Sequence, residues 1–479
     1  MQEVTVGSVP IDRLANLLEP ERARQLADQA ARARELLDGR VVWNVNATAT
    51  GGGVAEMLQA LLDYAHGAGV DTRWLVLDGT PEFFLLTKRI HNLLHGSPGD
   101  GGALGDDERR VYDDVLADNA AALREWVSPG DIVLLHDPQT AGLVRDLLDR
   151  DVHAVWRCHI GRDTANEQTD LAWDFLRPYV ENAEASIYSR AAYAPDWVDR
   201  DRLLLIPPSL DPFSAKNRDL SDAEVDAALR QAGLAEIQPD GGGLEFTRRD
   251  GSTGELRRHE GLMVAGGPLP ADARYVLQVS RWDRLKDMAG VMKGFVGVVD
   301  ELPDDVHLVL AGPDVSGVSD DPEGAEVLEE CLAIWRDQPE ETQRRLHLCS
   351  VPMDDIDENA HIVNALQRRA AVVVQKSLVE GFGLTVTEPM WKARPVVASR
   401  IGGIQDQIEH GESGLLLDDP DDLDSFGRLL VELLTDPDRA HALGTAARER
   451  VRDQFLGDRH LLQYGDLFAR LLGADVGSS

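Results

Sequence analysis

The sequence predicts an α/β protein of two Rossmann-like domains facing a central cleft, and three observations carry that prediction. The 479-residue chain is longer than the roughly 250–300 residues at which a single hydrophobic core stops growing. Short β-branched runs alternate with helical segments through both halves, the pattern of parallel sheets covered by helices. Between the halves, over residues 234–273, the alternation gives way to Gly, Pro, Arg and Asp. Open α/β sheets bind ligands at the carboxyl ends of their strands, so the cleft shared by two such sheets is the expected active site. The expected divisions are a first domain over 1–233, a linker or insertion over 234–273, a second domain over 274–452 and a closing helix over 453–479.

The elements follow in order. Residues 20–37 are polar and alanine-rich at helical spacing, a helix laid on the first domain. RVVWNVN is the first strand; Gly51, Gly52 and Gly53 lead from it into the helix VAEMLQALLDYAHGAG. The strand TRWLVL, helices over 83–95 and 108–127, the strand DIVLLHDP, a helix over 140–148 and the strand HAVWRCHI continue the alternation. After ASIYSRAAYAP and RLLLIPPSLDP the period weakens, and GGGLEFTRRDGSTGELRRHEGL reads as a hairpin within the linker. Alternation resumes with RYVLQVSR, VHLVLAG, RLHLCSV, AVVVQKS, RPVVASR and SGLLL. In the tail, Phe455, Leu461, Leu462, Tyr464, Leu467, Phe468 and Leu471 form an apolar helical stripe that needs a surface to cover.

Charge and composition remove several function classes. A formal net charge of -36 repels nucleic acids and anionic membranes, which are therefore not expected partners. No apolar run reaches the ~18–20 residues of a membrane span, and MQEVTVGSVPIDRL lacks the basic then apolar order of a signal peptide. A cytoplasmic protein is expected. Cys158, Cys331 and Cys349 have neither disulfide-framework nor zinc spacing, so buried reduced thiols and no metal site are expected.

The stretch KSLVEGFGLTVTEPMWKAR is the richest in chemistry. A buried strand ends at Glu380, followed by Gly381, Phe382 and Gly383 and a helix beginning near Leu384 and Thr385. The glycines let backbone N–H groups approach an anion, and the helix N-terminus adds roughly half a positive charge. Such a place can hold a diphosphate without a metal. Glu388 lies about one turn into the helix. Pro389 suits a first turn only if the helix starts as late as Thr387. In QVSRWDRLKD, Arg281 and Lys286 follow a strand and reach the same sheet edge, where a guanidinium fork and an ammonium can hold a leaving diphosphate. Lys286 stands out in a chain whose only other lysines are Lys88, Lys216, Lys293, Lys376 and Lys392. In the first domain, Gly51 to Gly53 lack the full dinucleotide fingerprint and read as a loop over leaving group or acceptor. His136, Asp137 and His159 end strands at the carboxyl edge, where at least one can meet a sugar.

The block VEGFGLTVTEPMWKARPVVASRIGGIQDQIEHGESGLLL resembles the donor site of glycosyltransferase family 4, whose members have the GT-B fold and retain anomeric configuration. Glu380 and Glu388 match its Glu-x7-Glu motif, and Arg281 with Lys286 its phosphate-binding pair; Asp287 departs from it, standing where glycine is usual. WNVNATATGGGVAEML, DGTPEFFLLTKRIHNLLHG, WRCHI, IPPSLDPFSAKN and DDPEG are similar to the trehalose-forming branch, and the likeness runs over 43–472 outside the linker. The resemblance implies trehalose formation from a nucleoside-diphosphate glucose and glucose by front-face displacement, with no cofactor. It assigns donor-glucose hydroxyls to Glu380, the diphosphate to Arg281, Lys286 and the amides of Gly383 to Thr385, and the ribose to Glu388. His159 takes the donor glucose, and Gly52, Gly53, Gly381 and Phe382 belong to the binding loops. A retaining trehalose phosphorylase is the nearest alternative and a non-catalytic nucleotide-sugar-binding protein a more distant one. A homo-oligomer is compatible with all three.

Overall fold

The computed structural model describes residues 1–49, 53–236, 244–248, 251–315 and 322–474. It divides into two compact units, Met1–Leu210 with Phe455–Ser479, and Asp211–Gln454.

The first unit is built on seven strands, β1 (Gln2–Val4), β2 (Val42–Asn46), β3 (Thr72–Val76), β4 (Ile132–His136), β5 (His153–Cys158), β6 (Ala185–Tyr188) and β7 (Leu203–Leu205). Their order is β1-β3-β2-β4-β5-β6-β7, and all neighbours are parallel except β1, which runs antiparallel to β3. Period-two alternation gives each face its own core. Trp43, Val45, Val133, Leu135 and Trp156 pack on one side. Val42, Ile132, Leu134, Val155 and Ile187 pack on the other with Tyr464, Leu467 and Phe468 of the closing helix Gly457–Leu471. Every residue of β2 and β4 is therefore buried, as a parallel sheet covered on both faces requires. The chain leaves β2 for β3 on one side and returns to β4 on the other, so the strand order reverses between β2 and β4. Such a switch point opens a crevice at the strand ends.

The second unit repeats the plan. A hairpin of β8 (Leu244–Thr247) and β9 (Thr253–Leu256) precedes β10 (Met263–Ala265), β11 (Arg274–Val279), β12 (Val306–Pro313), β13 (Leu346–Val351), β14 (Val372–Gln375), β15 (Val396–Ser399) and β16 (Leu415–Leu417). The sheet order is β10-β13-β12-β11-β14-β15-β16, with its switch point between β11 and β14.

The division differs from the expected one, falling after Leu210 and Gln454 rather than after 233 and 452. The described part of residues 234–273, expected as a linker or insertion with a hairpin, is built into the second unit, and the hairpin is the pair β8 and β9. Edge strand β10 runs antiparallel to β13, pairing Met263 with Cys349. Phe246 and Leu256 are buried against Ile362 and Leu366. His259 Nε2 and the Arg257 guanidinium converge on Glu358, whose side chain is buried. The helix expected over 140–148 is two short ones, Asp137–Thr140 and Leu143–Leu147. Cys158, Cys331 and Cys349 are buried and unbridged. No helix among the described residues is long and apolar enough to cross a membrane.

Candidate active site

At the switch point of the second unit, two loops are stitched together by one buried side chain. Gln278 on β11 donates from Nε2 to the Lys286 carbonyl at 2.7 Å and accepts the Lys376 N–H on Oε1 at 3.1 Å. The Leu378 N–H adds a 2.8 Å bond to the Leu285 carbonyl. The loop after β11 tightens into a 3₁₀ turn, Arg284–Lys286, begun by Asp283 accepting from the Leu285 N–H at 2.8 Å. This construction delivers Lys286 Nζ to Glu380 Oε2 at 2.7 Å, and Ser377 Oγ reaches the same oxygen at 3.3 Å. Both side chains are mostly buried. Arg281 is not drawn into this pair; its side chain is 60% exposed and bonds Asp283 at 3.0 Å.

Asp287, the departure from the family pattern, has a physical reason. Its φ of 49° is left-handed, a conformation that Asp tolerates better than most residues. Oδ1 accepts from the Gly290 N–H at 3.0 Å and caps the helix Met288–Gly297. Oδ2 pairs with Lys376 Nζ, whose side chain is 1% exposed. The carboxylate compensates a lysine buried beneath the loop.

Gly383 has φ 83° and precedes the helix Leu384–Trp391 without any side-chain cap. A Cβ there would lie 3.1 Å from both Glu380 Cγ and Ile404 Cγ1. The Gly403 N–H bonds the Gly381 carbonyl at 3.0 Å, and Gln407 Nε2 donates to the Phe382 carbonyl, so the glycine turn is held from behind. Leu384 and Thr385 open the helix. Pro389 thus lies inside it rather than in its first turn, and lacks the N–H that would bond the Thr385 carbonyl. Glu388 is buried; Gln367 Nε2 donates to Oε2 at 3.0 Å, and Lys216 Nζ stands 3.6 Å from Oε1. Behind it Lys392 Nζ donates to Gln367 Oε1 at 2.6 Å and Asn217 Oδ1 at 3.0 Å. Burial lowers the Lys392 ammonium to about 7, against the Glu388 carboxylate.

In the first unit, β2, β4 and β5 bring a second group together. His136 Nδ1 lies 3.1 Å from His159 Nε2, and His136 Nε2 lies 3.1 Å from Asn44 Oδ1. The two rings are within 13° of parallel. Burial, reinforced by the Arg157 guanidinium, lowers His136 to about 3 and His159 well below the usual histidine range, so both are neutral. Asp137 has φ 64° and accepts the His159 N–H at 2.7 Å; burial pushes its carboxyl up to about 7. Gly53 begins the helix Gly53–Gly67 and is exposed. Gly52 lies outside the described residues.

The structure brings Lys286, Glu380 and the glycine turn together and leaves Arg281 outside. Gln278 and Lys376 carry no assigned role in the sequence reading, and Asp287 enters it only as a departure from the family pattern. Asn44 carried a usable signal, because Asn44 and Asn46 fall two apart on one face of a wholly buried strand. Lys216 is far from Glu388 in sequence, and nothing local marked it. Among the described residues no group of three or more His, Cys, Asp or Glu side chains could hold a metal ion.

Known families match both units. Residues 44–195 match the model for the trehalose synthase N-terminal domain, and residues 265–450 match glycosyl transferases group 1. The trehalose synthase of Rubrobacter xylanophilus is 35% identical over 99% of this chain and 100% of its own. The chain belongs to the trehalose synthase family. It is accordingly a trehalose-related glycosyltransferase. The trehalose phosphorylase of Pleurotus sajor-caju is 25% identical, covering 85% of this chain and 55% of that protein. Among solved structures, the UDP-forming α,α-trehalose-phosphate synthase of Burkholderia vietnamiensis aligns with a TM-score of 0.64 and 16% identity over 91% of this chain and 98% of that one. The fold is GT-B, two α/β domains with mostly parallel sheets.

Proposed function

We propose that the chain is a retaining glucosyltransferase forming trehalose from a nucleoside-diphosphate glucose and glucose. The observation that carries this reading is the Lys286–Glu380 pair set beside the uncapped turn Gly381–Gly383. A cation paired with the carboxylate beside a helix N-terminus suits a diphosphate leaving group, and a carboxylate held by that cation suits the hydroxyls of the sugar it leaves. The donor C1–O bond breaks as the acceptor hydroxyl approaches from the same face; its proton passes to the departing phosphate oxygen, which closes the balance without an enzyme nucleophile. Lys286 and the amides of Gly383, Leu384 and Thr385 neutralise the departing charge as preorganised donors, and Arg281 joins them by leaving Asp283. Glu388 takes the ribose and His159 a donor-glucose hydroxyl, while Gly52 and Gly53 belong to the loop over leaving group or acceptor. No cofactor or metal is required, and the cytoplasm is the proposed location.

One observation favours a second reading, retaining phosphorolysis of trehalose. Glu388 already faces Lys216 and Gln367, so a site for free phosphate could retain it without a ribose. Product analysis with glucose and a panel of nucleoside-diphosphate glucoses tests the proposal. Trehalose from at least one donor supports it, and no trehalose from any donor overturns it.

A further inference from the structure

Asn44 ends the hydrogen-bond chain that passes through His136 to His159. Asn44 is 2% exposed and His136 1% exposed, on the two strands flanking the switch point of the first unit. A neutral imidazole has one N–H and one lone pair, so a chain of two such rings can run in only one of two senses. The structure sets the sense at Asn44, whose Oδ1 is the atom facing His136 Nε2 at 3.1 Å. His136 Nε2 then carries the proton and donates to Asn44. Its Nδ1 is a lone pair and accepts, at 3.1 Å, from His159 Nε2–H. The remaining nitrogen, His159 Nδ1, is left as a lone pair.

Asn44 Nδ2 is buried with no hydrogen-bond partner among the described residues, and the cavity that Asn44 lines is walled by Leu61, Leu62, Leu134 and Tyr464. Oδ1 is therefore the one side-chain atom of Asn44 with a hydrogen-bond partner among the described residues, and that partner is His136.

We infer that Asn44 is a positioning residue that fixes His159 as the Nε2–H tautomer, so that Nδ1 accepts a hydrogen bond from a hydroxyl of the bound glucose. The inference rests on the proposed contact between His159 and sugar, but its first test does not. In the ligand-free protein labelled with ¹⁵N-histidine, with the His159 resonances assigned through a His159→Gln variant, Nε2 is expected to carry the proton and Nδ1 to show the shift of an unprotonated nitrogen. A proton on His159 Nδ1 overturns the inference, and this wild-type spectrum needs no folded Asn44 variant. Asn44→Leu should mix the two tautomers and lower kcat/KM for the donor by about tenfold, the scale of one hydrogen bond. An unaltered His159 spectrum in Asn44→Leu refutes the positioning role. Loss of the functional reading is separately visible, as wild-type protein with the expected tautomer but no trehalose product.

Discussion

Replacing Asp287 by Asn isolates the charge that compensates Lys376. Asn keeps an oxygen for the Gly290 N–H, 3.0 Å away in the wild type, and tolerates the left-handed backbone as well as Asp does. Only the negative charge is removed. Lys376, 1% exposed, is then a buried ammonium without its counter-ion, a defect that costs about 3–5 kcal/mol in comparable pairs. The expected loss is therefore about 3–5 kcal/mol, which at ~2–4 °C per kcal/mol lowers the melting transition of the second unit by about 6–20 °C. Lys376→Met leaves Asp287 20% exposed and should cost far less, about 1 kcal/mol. The double variant should recover most of the loss. An Asp287→Asn protein melting within about 1 °C of wild type at pH 7, or a double variant as unstable as the single, would refute the reasoning.

Other outcomes follow from the same geometry. Asp137→Asn should stabilise the first unit above pH 7. The folded carboxyl, raised to about 7 by burial, holds a proton that the unfolded chain sheds from about pH 4, so wild-type stability falls as pH rises from ~4 to ~7. A gain on the order of 4 kcal/mol at pH 8 that vanishes by pH 4 is the expected melting behaviour, and a pH-independent difference contradicts it. Lys286→Ala should lower kcat about 10²-fold with the fold intact by circular dichroism; a near-wild-type rate removes Lys286 from the chemistry. Glu380→Gln should reduce kcat while Glu388→Gln mainly raises donor KM, and equal effects on both parameters would undo the two assignments. Activity should survive EDTA, since cations and a helix N-terminus serve the diphosphate. Complete loss, restored by magnesium, would reverse that view.

Strands buried on both faces were legible because they are short runs rich in Val, Ile and Leu, and β4, β11, β12 and β14 lie where such runs occur. Edge strands β1 and β10 were not. QEV and MVA are three residues long, and their pairing depends on β3 and β13 far along the chain. The segment 234–273 read as an insertion or linker carrying a hairpin; that it belongs to the second unit was not legible, because Phe246 and Leu256 are the buried apolar residues of β8 and β9, too few to announce a core. Within the site, Glu380 and the glycine turn were singled out together because they share one short motif, and Lys286 because lysine is scarce in this chain; their meeting spans the switch point between β11 and β14. Gln278, Lys376 and Asp287 act across the switch point between β11 and β14, and a contact made by topology leaves no spacing to read. Asn44 is the intermediate case, a polar residue within a buried strand, which signals a partner without naming it.

The central claim is that the leaving group is a nucleoside diphosphate. It is tested most directly by incubating the protein with trehalose and either a nucleoside diphosphate or inorganic phosphate, and measuring released glucose. The account predicts release with at least one nucleoside diphosphate, accompanied by the nucleoside-diphosphate glucose, and none with phosphate. Release with phosphate alone, accompanied by glucose 1-phosphate, would contradict it.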